Sequence, residues 1–229
     1  MTDLEILYED NHLIAINKKA SDIVQGDKTG DETLPDRLKD YLKEKYQKPG
    51  NVFCGVIHRL DRPTSGVVLF ARTSKGLERM NKQFREKETT KTYWVITEQK
   101  PTADTATLRH FLKKNEKQNK SYVYEKQVEG AKEAILHYTL KFSSDNYHLL
   151  EVQLETGRHH QIRVQLAAIG CVVKGDVKYG AKRPNKDGSV GLHARRLEFL
   201  HPITAEKISL VAPVPPDPLW QFFQDSHIQ

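Results

Sequence analysis

The stretch "GVIHRLDRPTSGVVLFART", residues 55–73, decides how this chain is read. Its second half, from Gly66 to Ala71, is an apolar run bounded by Gly and Arg, the pattern of a short central strand. Its first half is the opposite: His58, Arg59, Asp61, Arg62, Pro63, Thr64 and Ser65 follow almost without a break. A rigid strand that holds a reactive loop at its mouth accounts for both halves. Gly66 permits close backbone approach or positive φ at the junction. Pro63 stiffens the loop, and Thr64 and Ser65 satisfy local backbone groups. Asp61 would then sit on a stiff turn beside Arg59 and Arg62. A carboxylate among cations stays ionised and can act as nucleophile or base. Taken alone, Asp61 reads sooner as part of an ordinary surface turn with an exposed ion pair, so the functional reading needs further residues.

Outward from this stretch, the pattern predicts a hairpin in "LEILYEDNHLIAINK", turning at Glu9-Asp10-Asn11. A helix is predicted in "TLPDRLKDYLKEKYQK", with Thr33 as N-cap and Leu34, Leu38, Tyr41 and Leu42 on one face. A second helix follows in "SKGLERMNKQFREKE", capped by Ser74, with Leu77, Met80 and Phe84 buried. "KTYWVIT" and residues 134–142 and 150–154 read as strands, the last two joined by a turn at residues 143–146. "GRHHQIRVQLAAIG" reads as a helix with a stripe of Ile162, Leu166 and Ile169 and a stop at Gly170. Strands near 191–199 and 206–211 and a short helix in "DPLWQFF" close the chain. The lysine-rich "KKNEKQNK" (113–120) reads as an exposed turn. Strands outnumber helices and most neighbours are hairpin-linked, so the expected class is α+β: one domain over residues 1–229, a mixed, mainly antiparallel central sheet with flanking helices.

The 229 residues bury a sizeable core without staples. No stretch approaches the roughly 20 apolar residues of a membrane span. The acidic N-terminus lacks a signal pattern, and Cys54 and Cys171 form no Cys-x-x-Cys motif. These features point to a cytoplasmic protein without a membrane partner. Net charge is +6, but residues 157–196 alone hold nine Lys or Arg against two acids. A basic region that concentrated suits a polyanion, nucleic acid first.

Two further stretches carry chemistry. In "KTYWVIT", Tyr93 and Trp94 face opposite sides of a strand, and a Tyr there can stack on a base while offering a hydroxyl. In "GRHHQIRVQL", a helix would set Arg163 at the edge of the buried face, where a guanidinium snorkels or meets a buried carboxylate. Arg158 would lie about 140° away around that helix. His159 and His160 are adjacent and diverge by about 100° on a helix. With no His-x-x-x-His or Glu-x-x-His partner they predict no metal site.

Taken together, these stretches resemble the RluA family of pseudouridine synthases. "HRLDRPTSG" looks like that family's catalytic loop and "KTYWVI" like its Lys-x-Tyr motif. "GRHHQIRVQL", "GDVKYG" (175–180) and "LHARRLEFLHP" (192–202) follow in the family's order, so the likeness runs from about residue 5 to residue 212. It departs in three places: His159 stands for the usual Thr, Gln165 for a His, and Val173-Lys174 for a Pro-Ile pair. The resemblance implies isomerisation of uridine to pseudouridine in structured RNA, tRNA or rRNA, in a cleft across the sheet. No cofactor, metal or DNA takes part. It implies that Asp61 is the catalytic aspartate, that Tyr93 packs on the target uracil, and that Arg163 pairs with Asp61. Arg59 fills the stack or supports the flipped base. Arg62, Arg158, His160, Gln161 and Lys91 belong to the RNA-binding surface. The layout resembles that of short, monomeric members without an N-terminal RNA-binding domain, and the "DRPTSG" form leans toward the tRNA-acting branch. Two rivals remain at this level: a non-catalytic RNA-binding protein, and a metal-dependent phosphodiesterase built on His58, Asp61, His159 and His160.

Overall fold

The apolar run after Gly66 is buried on both faces, and that organises the first half of the molecule. A computed structural model describes residues 3–26 and 30–227. In chain order the elements are β1 (Ile6–Glu9), β2 (Leu13–Lys18), α1 (Leu34–Lys45), β3 (Gly55–Val56), β4 (Ser65–Ala71), α2 (Ser74–Glu86) and β5 (Thr90–Thr97). Then come β6 (Thr105–Asn115), β7 (Lys120–Tyr124), β8 (Lys132–Ser143), β9 (His148–Leu154), α3 (Gln161–Ala168), β10 (Leu192–Leu200), β11 (Lys207–Val211) and α4 (Pro218–His227). The described strand pairs are antiparallel. The class is the α+β class the patterning predicts.

The chain forms two compact units, Met1–Thr90 with Ala194–Pro213, and Lys91–His193 with Val214–Gln229. In the first, the strands run β1-β2-β4-β10, with β3 on β4 and β11 on β10. Period-two alternation sorts the side chains of β2 and β4 between two cores. Ile14, Ile16, Val68 and Phe70 meet Leu34, Leu38 and Leu42 of α1. Leu13, Ala15, Val67, Leu69 and Ala71 meet Met80 of α2 and Leu197 and Phe199 of β10. Each of the three fully buried α1 leucines contributes about 1.5–3 kcal/mol. Thr33 caps α1, as the sequence predicts, and Pro35 stands in its first turn. On α2 the cap is one residue earlier than expected: Thr73, not Ser74, accepts from the Gly76 N–H at 3.1 Å. Thr73 holds the extended backbone a cap requires, whereas Ser74 is already helical.

In the second unit the order is β5-β9-β8-β6-β7. Trp94 and Ile96 face a core closed by Trp220 and Phe223 of α4. Leu112 and Ala134 face another, closed by Val164 of α3 and Tyr179. Two expectations are corrected here. Much of "KKNEKQNK" is strand: Lys113, Lys114 and Asn115 end β6 and Lys120 starts β7, so the turn is only residues 116–119. And α3 begins at Gln161, because His160 adopts a left-handed conformation (φ 55°) that a right-handed helix cannot include. Arg158 therefore lies on the preceding turn, not on the helix. Ile169 falls past the helix end and is exposed.

Candidate active site

Asp61 opens a tight turn closed by the Thr64 N–H on the Asp61 carbonyl at 3.0 Å. It is half-buried, while Arg59 and Arg62 beside it are exposed. Arg62 reaches Asp31 at 2.9 Å, with both side chains about half exposed, a geometry worth little stability. Arg59 donates to the Gln25 side chain.

Three features hold the turn, all within the first unit. The first is Lys18, at the end of β2 and only 1% exposed. Its ammonium donates to the carbonyls of Arg62 (3.0 Å), Thr64 (2.7 Å) and Lys19 (2.9 Å). Burial pushes its pKa down to about 8, while the carboxylates of Asp22 and Asp61 pull it back up. So a buried positive charge supports the turn from beneath and is felt at Asp61. The second is His58, whose Nε2 accepts the Leu69 N–H at 3.0 Å and whose ring stacks on Phe84 at 5.0 Å. That bond ties the loop's entrance to the middle of β4. The third is Gly66, at φ 115°, where a Cβ would stand 2.3 Å from the Ala194 carbonyl oxygen. No other residue fits there.

In the second unit Tyr93 lies near the start of β5 with 9% of its surface exposed, and Lys91 precedes it, partly exposed. Arg163 on α3 is buried and meets a buried carboxylate, Asp176. Its Nε donates to Oδ2 at 2.6 Å and its Nη2 to Oδ1 at 2.8 Å. The guanidinium also lies over the Tyr179 ring, 5.2 Å from its centroid. The Tyr179 hydroxyl oxygen accepts the Ser121 N–H at 2.8 Å and is hydrogen-bonded to His160 Nδ1, also at 2.8 Å. Burial, and then the charge of Arg163, push the His160 pKa down to about 2, so the ring is neutral.

The other expected surface residues divide. Arg158 is exposed. Gln161 is buried and folds back: its Oε1 accepts from the Arg158 N–H (2.9 Å) and the Thr156 hydroxyl (2.8 Å), and its Nε2 donates to the Ile135 carbonyl (3.0 Å). His160 and Gln161 thus shape the turn that presents Arg158. The rings of His159 and His160 stack at 3.7 Å, each hydrogen-bonded within the unit. Among the described residues no group of three or more His, Cys, Asp or Glu could hold a metal ion.

Sequence reasoning gave no role to Lys18, Asp176 or Tyr179. Lys18 ends the apolar run "LIAINK", a place where a lysine reads as exposed. The signal for the other two was the quoted "GDVKYG", which holds both.

The fold is that of a pseudouridylate synthase domain: the chain matches the structure of human RNA pseudouridylate synthase domain containing 4 with a TM-score of 0.80, at 24% identity, over 96% of this chain and 92% of that one. The family model for RNA pseudouridylate synthase matches residues 12–168. Among curated proteins, it is 34% identical to the RNA pseudouridine synthase slr1629 of Synechocystis sp., over 93% of this chain and 66% of that protein. It is 35% identical to ribosomal large subunit pseudouridine synthase C of Rickettsia prowazekii, over 92% of this chain and 68% of that one. The chain belongs to the RNA pseudouridylate synthase family, the isomerases that make pseudouridine in RNA. It spans about two thirds of the length of these two relatives.

Proposed function

We propose that this chain converts a specific uridine of a structured RNA to pseudouridine, with Asp61 as the catalytic carboxylate. The observation that carries the reading is the construction around Asp61: a half-buried carboxylate on a turn whose carbonyls are held by a buried ammonium. A surface turn with a casual ion pair has no need of a desolvated lysine beneath it.

The uridine must first leave its stack, at a cost of a few kcal/mol. Arg59 occupies the vacancy, and Tyr93 packs on the extruded uracil. Asp61 then acts as nucleophile or base while the bond between ribose C1′ and uracil N1 breaks. The base turns, C5 bonds to C1′, and the C5 proton leaves while N1 gains one. Arg163 supplies positive charge to the same reaction, aligned by Asp176 and Tyr179. Arg62, Lys91 and Arg158 meet RNA phosphates, so affinity falls with salt; His160 and Gln161 serve by shaping the turn of Arg158. The two units work as one catalytic domain, a monomer in the cytoplasm, without cofactor or metal.

For the RNA class, the relative named for the large ribosomal subunit favours ribosomal RNA over the tRNA reading of "DRPTSG". Mapping pseudouridines in cellular RNA with and without the gene tests this. One or a few sites lost from large-subunit RNA support it, sites lost from tRNA alone redirect it, and no lost site removes it. Tyr93→Phe against Tyr93→Ala separates stacking from proton transfer: the Phe variant keeps binding, the Ala variant loses it, and full activity in both dismisses Tyr93. The non-catalytic binder differs in one respect: it binds RNA without any change at uridine.

A further inference from the structure

A cavity of about 620 Å³ opens in the second unit, and Tyr93 is not among its lining residues. Its wall is Glu98 and Gln99 just past β5, the β8–β9 turn at Asp145, Asn146 and Tyr147, and Lys174 with residues 182–185. We propose that it is a nucleotide subsite, taking one unstacked nucleotide of the RNA that flanks the target uridine. This inference rests on the function proposed above.

Size comes first. Pockets for single small ligands span about 300–1,000 Å³, and this one falls in that range. Chemistry narrows the ligand. Lys174, Lys182 and Arg183 line the cavity and suit a phosphate. Tyr147 is half-buried; it packs against the α4 core and keeps its ring in the cavity wall, where a base can stack. Gln99, Asn146 and Glu98 offer the amide and carboxylate groups that read base edges. An apolar partner segment finds little to bury against such a lining.

The cavity is also preorganised. Lys174 Nζ donates to Asn185 Oδ1 at 2.5 Å and lies 5.9 Å from the Tyr147 ring centroid. Asn185 Nδ2 in turn donates to the Ser189 hydroxyl at 3.2 Å, which fixes the loop. Gly175, at φ 78°, leaves the room Asn185 needs: a Cβ there would stand 2.7 Å from the Asn185 side chain. Preorganised polar groups bind without a further ordering cost.

Position makes it a flanking subsite rather than the uracil pocket. Glu98 lies five residues beyond Tyr93 along an extended chain, roughly 17 Å away. That is too far for the reacting base and within reach of a neighbouring nucleotide. The link is short as well: in Lys174-Gly175-Asp176 one end lines the cavity and the other grips Arg163.

The test uses the full chain and a fluorescein-labelled 15-nucleotide single-stranded RNA of mixed sequence. Anisotropy gives affinity across a salt series. The double variant Lys182→Glu/Arg183→Glu should lose at least tenfold in affinity and flatten the salt dependence by about two ion equivalents. The same charge change on α2, Lys75→Glu/Lys82→Glu, should lose less than threefold. Tyr147→Leu should lose at least fivefold and Tyr147→Phe less than twofold, which separates a stacking ring from a fold defect. Equal losses in the two charge-reversed doubles, or full affinity in Tyr147→Leu, overturn the subsite. Turnover on RNA from cells lacking the gene is read in parallel: the Lys182/Arg183 double should raise KM and leave kcat within twofold. Wild-type protein without turnover sinks the proposed function, and the anisotropy series still decides the cavity.

Discussion

Raising the pH through 8 should lower turnover while it raises stability. The group responsible is Lys18, whose pKa is pushed from 10.5 in the unfolded chain to about 8 in the folded one. Between those values the unfolded chain holds more protons, so stability climbs with pH; below 8 the full cost of burying the charge is present. At about 1.36 kcal/mol per unit over roughly 2.5 units, that cost is about 3 kcal/mol. Above pH 8 the neutral amine has two N–H groups for three carbonyls and no charge to set against Asp61. The turn loosens at the place where the chemistry is proposed. Lys18→Met separates the effects. It removes the burial cost of about 3 kcal/mol and strips the Thr64 carbonyl of its ammonium donor, at about 1–3 kcal/mol; Arg62 keeps the Ser21 N–H. Stability at pH 7 should then lie within about 2 kcal/mol of wild type while turnover falls at least tenfold. The rise in stability above pH 8 should vanish. The assay is kcat from pH 6 to 10 beside urea unfolding at each pH, with both proteins on the same RNA so that titration of the nucleotide cancels. Wild-type turnover in Lys18→Met, or activity and stability falling together above pH 8 in the wild type, would refute the reasoning.

Asp176→Asn breaks the buried pair with Arg163 and should cost about 3–5 kcal/mol in urea unfolding, with turnover lost at temperatures where the fold survives; a change under 1 kcal/mol would show the pair to be dispensable. Gly66→Ala should destabilise far more than Gly180→Ala. Both sit at φ near 115°, but a Cβ meets Ala194 backbone at 2.3 Å in the first and only Val172 at 3.7 Å in the second; similar losses would mean that the φ angle, not the collision, sets the cost. His160 is neutral when folded and protonates below about 6.5 when unfolded, so stability should fall with acid below that pH. His160→Gln, which keeps a hydrogen-bonding group for Tyr179, should make the slope between pH 6.5 and 4 shallower by up to about 1.4 kcal/mol per pH unit, and an unchanged slope would place the acid sensitivity elsewhere.

Much of the first unit was legible because its signals are local and redundant. The run after Gly66 needs burial on both faces, and α1 and α2 supply it. The Thr33 cap and the α1 leucine stripe agree with each other. The second unit was harder for physical reasons. Strand β6 reads as "TATLRHFLKKN", where polar outward residues at one end look like a turn, so the β6–β7 hairpin went unseen. The sequence pattern extends α3 past its true start, because a left-handed His160 leaves no mark in the sequence. The candidate residues stood out by type and order, but their supports did not. Lys18, Asp176 and Tyr179 act through distant partners, Lys18 across 46 positions to Thr64 and Tyr179 across 58 to Ser121, and no local pattern announces such a contact.

The most direct measurement is tritium release from RNA labelled at uridine C5, with wild-type protein and with Asp61→Asn. Isomerisation exchanges that hydrogen for a carbon–carbon bond, so wild type should release tritium in proportion to pseudouridine formed. Asp61→Asn should release none while binding the same RNA within a few fold. Comparable release by the variant would contradict the central role given to this carboxylate.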